Sequence, residues 1–269
     1  MNGSGADSED VFQRPIRTYM SAPVHAVSID ASLEDVAATL TECRVSCLPV
    51  LGRDGRAAGV ISHSDLLQIS HVMARTGGGK ELLTLPAMCA GDLMTRQVLA
   101  TSPETPVVEG AALMMAHGVH RLFVLEDGAP VGVWSAHDVL RALVDAARKT
   151  PIRAYMTSPA ITIDIAEPIT LAVDRLYGVR AVGLVILDRG LPAGIFTVVE
   201  ALAARELPRS ASVGEGAGYS MISFPEETPI DRAAALAIAT RARRVVALGP
   251  DGSVAGVLTG LDFARAVSG

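Results

Sequence analysis

A seven-residue pattern that occurs four times constrains the fold of this 269-residue chain more than any other feature. Each copy begins with a glycine and two apolar residues, continues with a hydroxyl residue, and ends three positions later in a carboxylate. The copies are GVISHSD at 59–65, GVWSAHD at 132–138, GIFTVVE at 194–200 and GVLTGLD at 256–262. Their carboxylates stand 73, 62 and 62 residues apart. A recurrence at this spacing predicts a chain built from repeated supersecondary units.

A second phrase recurs upstream of the motifs, in which a methionine is followed by a polar turn and an apolar run. Its copies are IRTYMSAPVHAV at 16–27, AGDLMTRQVLAT at 90–101 and PIRAYMTSPAIT at 151–162, with a degenerate fourth copy, VGEGAGYSMISF, at 213–224. Each apolar run predicts the first strand of a unit. The second phrase therefore marks where each repeat begins.

The segment between the two phrases predicts a helix and a hairpin in every unit. Apolar residues follow the helical spacing i, i+3, i+4, i+7 at Leu33, Val36, Ala37 and Leu40, and again at Ile230, Ala233, Ala234 and Ala237. A short apolar strand such as CLPVL at 47–51 and a Gly-containing turn such as GRDGR at 52–56 come next. Glycine supplies the positive φ that tight hairpin turns require. The motif is then the second hairpin strand, and each unit reads strand, helix, strand, strand, helix.

This reading predicts four βαββα units with two irregular segments outside them. The expected divisions are a disordered tail at 1–13, repeats at 14–74, 88–148, 149–207 and 208–269, and a linker at 75–87. The linker contains GGGK at 77–80, but Glu81 follows the lysine where a phosphate loop needs Ser or Thr. We therefore interpret it as a linker.

Composition limits the classes of partner. Hydrophobic residues make up 49% of the chain and charged residues 19%, as in a folded domain. The net charge of -6 argues against charge-driven binding to nucleic acid. No apolar run approaches the roughly 18 residues that a membrane span needs. The three cysteines are odd in number and the first thirty residues lack an apolar signal core, so we expect a cytoplasmic protein.

The four motifs and their unit order resemble the tandem CBS domains, in which G-x-x-T/S-x-x-D lies at the junction of the third strand and the last helix. The resemblance covers residues 14–268. It implies an α/β (α+β) fold of four βαββα repeats paired into two pseudo-twofold modules, known as Bateman modules, with repeats one and two in the first and three and four in the second. Clefts in such modules commonly bind adenine nucleotides or adenosyl compounds.

The resemblance also implies a set of ligand-binding residues. Each motif carboxylate would accept hydrogen bonds from the ribose hydroxyls, each motif Ser or Thr would donate to a phosphate oxygen, and basic residues before the middle strand would approach the phosphates. The predicted residues are Ser62, Asp65, His120, Arg121, Ser135, Asp138, Thr197, Glu200, Arg243, Arg244, Thr259 and Asp262.

The four sites are not expected to be equal. Arg241 adds to the basic residues of repeat four, whereas repeats one and three offer only Arg44 and Arg180. We therefore prefer the sites at Asp138 and Asp262, followed by the site at Asp65. Glu200 is longer than Asp by one methylene, which pushes its oxygens further into the cleft and predicts an empty or altered third site.

The leading hypothesis is a stand-alone regulatory protein of the energy-sensing kind, without catalytic or metal-binding residues and without a required cofactor. Its candidate ligands are AMP, ADP, ATP, S-adenosylmethionine and NAD, and it would act on an unknown protein partner as a monomer or a homodimer. One alternative is a ligand-free scaffold, because Ser or Thr followed by an acidic residue three positions later also matches a helix capping box. Another is a redox-responsive protein that uses Cys43, Cys47 and Cys89.

Overall fold

The computed structural model describes residues 11–43, 45–66, 69, 85–178, 183–204, 207, 208 and 210–269. Residues 1–10 of the tail predicted at 1–13, the GGGK segment, Arg44 and Arg180 lie outside this part. Residues 11–13 of that predicted tail are helical, and Val11 is buried. Within the described part the predicted βαββα order is confirmed, with four three-stranded sheets.

The strands follow one order in each repeat. They are β1 (Val27–Ser28), β2 (Cys47–Leu51) and β3 (Ala57–Ser62); β4 (Ala100–Thr101), β5 (Arg121–Glu126) and β6 (Ala129–Ser135); β7 (Thr162–Asp164), β8 (Leu184–Asp188) and β9 (Leu191–Phe196); and β10 (Met221–Pro225), β11 (Arg244–Leu248) and β12 (Val254–Leu258). In every sheet the first strand runs parallel to the second, and the second runs antiparallel to the third. The parallel pair requires a crossover, which a helix provides in each repeat.

Eight labelled α-helices complete the described part of the chain. They are α1 (Leu33–Glu42), α2 (Ala90–Leu93), α3 (Val107–His117), α4 (Ala136–Asp145), α5 (Ile169–Gly178), α6 (Val198–Ala203), α7 (Ile230–Thr240) and α8 (Gly260–Ser268). A further helix begins at His63, directly after β3. None of the described helices is long and apolar enough to cross a bilayer.

The predicted helical stripes are confirmed. On α1, Leu33, Val36 and Leu40 are fully buried and Ala37 is partly buried against the same core, and all four predicted residues of α7 are buried. Helix α1 begins after Ser32, whose hydroxyl oxygen accepts a hydrogen bond from the amide of Asp35 at 3.1 Å. This contact satisfies one of the amides that a helix leaves unpaired at its first turn.

Repeats pair reciprocally through the segments that precede their first strands. Thr157, before the first strand of repeat three, forms a bridge with Val257 of β12, and Gly218, before the first strand of repeat four, forms a bridge with Ile195 of β9. Repeats one and two show the same exchange, in which Ser21 pairs with Val133, and Thr95 pairs with Val60. The predicted partners, one with two and three with four, are therefore in contact.

This exchange explains why the motif begins with glycine and why a methionine recurs upstream. A methionine side chain of one repeat packs against the motif glycine of the other repeat in the pair. The contacts are Met94 with Gly59, Met20 with Gly132 and Met156 with Gly256. A Cβ on these glycines would lie 2.5, 2.6 and 2.7 Å from the methionine sulfur, respectively. Any larger residue would push the methionine away, so the motif glycine has a packing role that needs no ligand.

Contacts divide the chain into two compact units. One comprises Pro15–Thr105 and Arg121–Ser135, and holds the sheets of repeats one and two. The other comprises Pro106–His120, Ala136–Gly269 and the described residues of Met1–Arg14; there α3 and α4 pack on α7 and α8. The predicted repeat boundaries stay predictions, since these two units divide the chain at other positions.

Candidate functional site

The carboxylates of the first, third and fourth motifs cap the helices that begin inside those motifs. Oδ2 of Asp262 accepts hydrogen bonds from the amide and hydroxyl of Thr259 at 2.7 and 2.9 Å. Oδ2 of Asp65 accepts from the amide and hydroxyl of Ser62 at 2.8 and 2.7 Å. Oε2 of Glu200 accepts from the amide of Thr197 at 3.0 Å and from its hydroxyl. The capping-box alternative thus describes the first, third and fourth motifs.

This capping limits what the motif can offer a ligand. A hydroxyl has a single proton, so a Thr or Ser that donates to its motif carboxylate cannot donate to a phosphate at the same time. One carboxylate oxygen is likewise occupied by the cap. A ribose would therefore meet the second oxygen only, and a phosphate must find its donors elsewhere.

The carboxylates of the second and fourth motifs are buried and lie beside arginines of their own helices. Asp138 is 0% exposed and Asp262 is 3% exposed. An Arg141 nitrogen lies 3.8 Å from Oδ1 of Asp138, and an Arg265 nitrogen lies 3.2 Å from Oδ1 of Asp262. The Thr157 hydroxyl also donates to Oδ1 of Asp262, at 3.1 Å. Both oxygens of Asp262 are therefore engaged.

The carboxylates of the first and third motifs have different surroundings. Asp65 and Glu200 are partly exposed, and Gln68 and Ala203 stand three residues after them, where the other two motifs have arginine. An i, i+3 arginine could have been recognised from the sequence, because residues at this spacing share a helix face.

The residue opposite each motif hydroxyl in the hairpin also alternates between repeats. Cys47 pairs with Ser62 in repeat one, and Arg121 pairs with Ser135 in repeat two. In repeats three and four the first paired residues are Leu184 with Phe196 and Val245 with Leu258. Extending each pairing by one residue places Gly183 opposite Thr197 and Arg244 opposite Thr259. Each pair of repeats therefore contains one arginine and one small residue at this position.

Arg121 reaches across from repeat two to repeat one. Burial raises the pKa of the Cys47 thiol, while the charge of Arg121 and its hydrogen bond to Cys47 act in the opposite direction. The nearby carboxylate of Asp65 adds to the increase in this pKa. Cys47, Arg121 and Asp65 are thus neighbours, although the sequence assigned Arg121 to the other motif.

Arg244 has the corresponding place in repeats three and four. Its burial lowers the pKa of the guanidinium, the carboxylates of Glu200 and Asp262 oppose that shift, and Arg243 adds to it. Arg243 is exposed, and its amide donates to the carbonyl of Ser220 at 3.0 Å. Arg244 is therefore the cation that lies near the motifs of both repeats.

The remaining basic candidates are placed differently. The His120 carbonyl accepts a hydrogen bond from the Ala136 amide at 3.0 Å, and Nδ1 of His120 would lie 3.1 Å from a Cβ on Gly260. His120 thus lies where α4 begins and where Gly260 opens α8. Arg241 ends α7 with a left-handed φ of 56°.

The longer side chain of Glu200 has a specific structural counterpart. Bridge partners show that Ser21, Thr95, Thr157 and Gly218 occupy equivalent positions, so only repeat four lacks a hydroxyl side chain there. A Cβ on Gly218 would lie 2.5 Å from Oε1 of Glu200. The extra methylene therefore carries the carboxylate towards the space that Gly218 leaves open. The sequence had instead predicted that the longer side chain would push the carboxylate oxygens into the ligand cleft.

The cysteines show no shared site. Cys43, Cys47 and Cys89 are free thiols, and the described residues contain no cluster of potential metal ligands. The Cys89 thiol donates to Oδ2 of Asp92 at 3.1 Å, and the hydrogen bonds from Cys89 lower the pKa of Asp92. The geometry offers no observation in favour of the redox alternative.

Comparison with known proteins agrees with this architecture. The CBS domain model matches residues 16–72, 90–145 and 152–206. The uncharacterized protein MJ1426 of Methanocaldococcus jannaschii is 26% identical over 168 residues, which are 54% of this chain and 95% of that protein. The A-adding tRNA nucleotidyltransferase of Aquifex aeolicus is 27% identical over 128 residues, which are 48% of this chain and only 14% of that enzyme.

A solved structure extends the likeness to the whole fold. Protein MJ1225 of Methanocaldococcus jannaschii has a TM-score of 0.76 and 14% sequence identity, and the match covers 94% of this chain and 99% of that chain. Residues 208–269 lie outside the family match, but their described part has the same order of strands and helices as the other repeats. The chain therefore belongs to the CBS-domain family, as a tandem CBS-domain protein.

Proposed function

We propose that this chain is a regulatory protein that binds an adenosine-containing nucleotide between paired CBS repeats and passes its occupancy to a partner protein. The observation that supports this best is the position of Arg244, a partly buried cation near the partly exposed carboxylate of Glu200 in the neighbouring repeat. Arg121 and Asp65, which are both close to Cys47, repeat this combination in the first pair.

A carboxylate and an arginine at separate positions suit a nucleotide, because one can bind the ribose and the other the phosphate. The second oxygen of Glu200 would accept from a ribose hydroxyl, a charge-assisted contact of about 1.5–3 kcal/mol. The guanidinium of Arg244 would bind phosphate oxygens through its fork of donors. Partial burial strengthens both contacts because the local dielectric is lower than in water.

Apolar surface is available beside the same carboxylate for an adenine ring. Val199 precedes Glu200 and is 57% exposed, and Tyr219 follows Gly218 and is 71% exposed. Tyrosine offers a flat apolar face of the kind on which a base stacks. This pair of side chains favours an adenosine compound over a bare phosphate.

Regulation would follow from the position of the ligand between two repeats. A nucleotide that contacts Glu200 of one repeat and Arg244 of the next stabilises one arrangement of the pair over others, and this difference in affinity is what a partner protein can sense. We assign no catalytic residue, and we place the protein in the cytoplasm, in keeping with its three free thiols.

The test is thermal unfolding of the whole chain with AMP, ADP, ATP, NAD or S-adenosylmethionine. A ligand at 100 times its Kd adds about 2.7 kcal/mol to the stability of the native state. That corresponds to a rise in Tm of about 5–10 °C. We expect one of these ligands to raise Tm and expect Arg244→Gln to reduce the shift. If none of the five raises Tm, the proposed function is wrong.

A ligand-free scaffold is the second candidate, and the capping boxes favour it. In the first, third and fourth motifs the hydroxyl residue and the carboxylate satisfy each other without a ligand. This candidate predicts that carboxylate variants change stability alone and that no nucleotide is bound.

A further inference from the structure

We propose that each pair of repeats holds one nucleotide site rather than two, located at the first and third motifs, and that the second and fourth motifs are structural anchors. The chain would then bind two ligands. This inference rests on the proposed function, and it reverses the ranking in which Asp138 and Asp262 are preferred.

The carboxylate of the fourth motif already has the contacts that a ligand would need, and that of the second motif is fully buried. Asp262 is 3% exposed, and its Oδ1 meets both the Thr157 hydroxyl and Arg265. Arg265 also donates to the carbonyl of Tyr155 at 3.1 Å, which joins Asp262 and Arg265 to the segment before the first strand of repeat three. A ribose could reach Asp262 only by displacing these groups.

The difference in burial between the two motif carboxylates of a pair recurs in both pairs. Asp138 is fully buried beside Arg141 in repeat two, just as Asp262 is beside Arg265 in repeat four. Asp65 and Glu200 lack such an arginine and are partly exposed. Two independent pairs with the same division favour two roles for the motif rather than local variation.

Each pair has a single arginine at the start of its middle strands, Arg121 or Arg244, and the equivalent residue of the other repeat is Cys47 or Gly183. Arg121 and Asp65 both lie close to Cys47. Each pair therefore offers the fork of donors of one guanidinium at this position, and the other repeat has no side chain there that could bind a phosphate in the same way.

The experiment is calorimetric titration of the full chain with the nucleotide that raises Tm most, AMP being the first probe. We expect about two ligands per chain. Glu200→Gln and Asp65→Asn should each remove one site, and the double variant should remove both. Arg265→Gln and Arg141→Gln are the matched controls, and each should keep two sites.

The outcomes separate this inference from the proposed function. A stoichiometry near four, or loss of a site in the folded Arg265→Gln or Arg141→Gln variants, would overturn the inference while leaving nucleotide binding intact. Absence of binding by every nucleotide would overturn both.

A measurement without ligand tests the anchors separately. Asp262 is buried and accepts hydrogen bonds from Thr259 and Thr157, so weakening this acceptor is costly and Asp262→Asn should lower Tm by about 5 °C or more. Glu200→Gln should lower it by less than about 2 °C. Equal shifts for the two variants would contradict the anchor role.

Discussion

Gly218 lies against the carboxylate of Glu200, so closely that a Cβ on the glycine would be 2.5 Å from Oε1. The equivalent position carries a hydroxyl residue in the other three repeats, and their motif acid is aspartate. The longer side chain of Glu200 therefore occupies space that is available because Gly218 has no side chain.

This relationship predicts that Gly218→Thr is destabilising by about 1–3 kcal/mol, because an added side chain overfills the space beside Glu200. Glu200→Asp in the same chain should recover part of that loss. Urea unfolding of the two single variants and the double variant measures the coupling energy, which we expect to be about 1 kcal/mol. Additive effects would show that the two positions do not share this space.

Thr157→Val should destabilise the protein by about 1 kcal/mol, since it removes a hydroxyl donor to a buried carboxylate while keeping the side-chain shape. The donor–acceptor distance is 3.1 Å, and Asp262 remains beside Arg265 after the change. Thr95→Val is the matched control, because Thr95 has the same register in repeat two and is exposed. Chemical denaturation of both variants checks the difference, and an equal loss in the control would contradict the assignment.

Arg241→Gly should stabilise the protein by about 1 kcal/mol, because a left-handed φ is costly for a residue with a Cβ. Arg241 ends α7 at φ 56°, and Gly118 ends α3 at φ 63° in the equivalent place. A thermal melt should show a rise of about 2–4 °C. The reverse change, Gly118→Arg, should lower Tm, and a rise there would contradict the argument.

Cys47 should make stability decrease at alkaline pH. Its folded-state pKa is raised from 9.0, chiefly by burial. The folded protein therefore retains the thiol proton more strongly than the unfolded chain does. The associated stability is fully present below the unfolded pKa and is lost as pH rises through the higher, folded pKa.

Urea unfolding at pH 7.5 and at pH 10 measures this effect, with Cys47→Ala as the comparison. We expect the variant to lose less stability than the parent between the two pH values. The same dependence in both proteins would show that the Cys47 thiol is not responsible. Cys43→Ala serves as a control for the loss of a partly buried thiol elsewhere in the repeat.

Local patterns in the sequence determined the repeats, the strand and helix order, and the stripes of α1 and α7. These features depend on the strand and helix periodicities of two and 3.6 residues and on turn glycines, which can be recognised from a few consecutive residues. The capping role of Thr259 and Asp262 was also legible, because both residues lie within one helical turn.

Only the tertiary structure decided which motif carboxylates are available and where the arginines reach. Thr157 and Asp262 are 105 residues apart in the chain, and the neighbours of Arg121 and Arg244 belong partly to another repeat. Burial and charge contacts between distant segments are set by packing, not by local spacing. For this reason Asp262 and Glu200 hold the same position in the motif, yet Asp262 is buried and Glu200 is partly exposed.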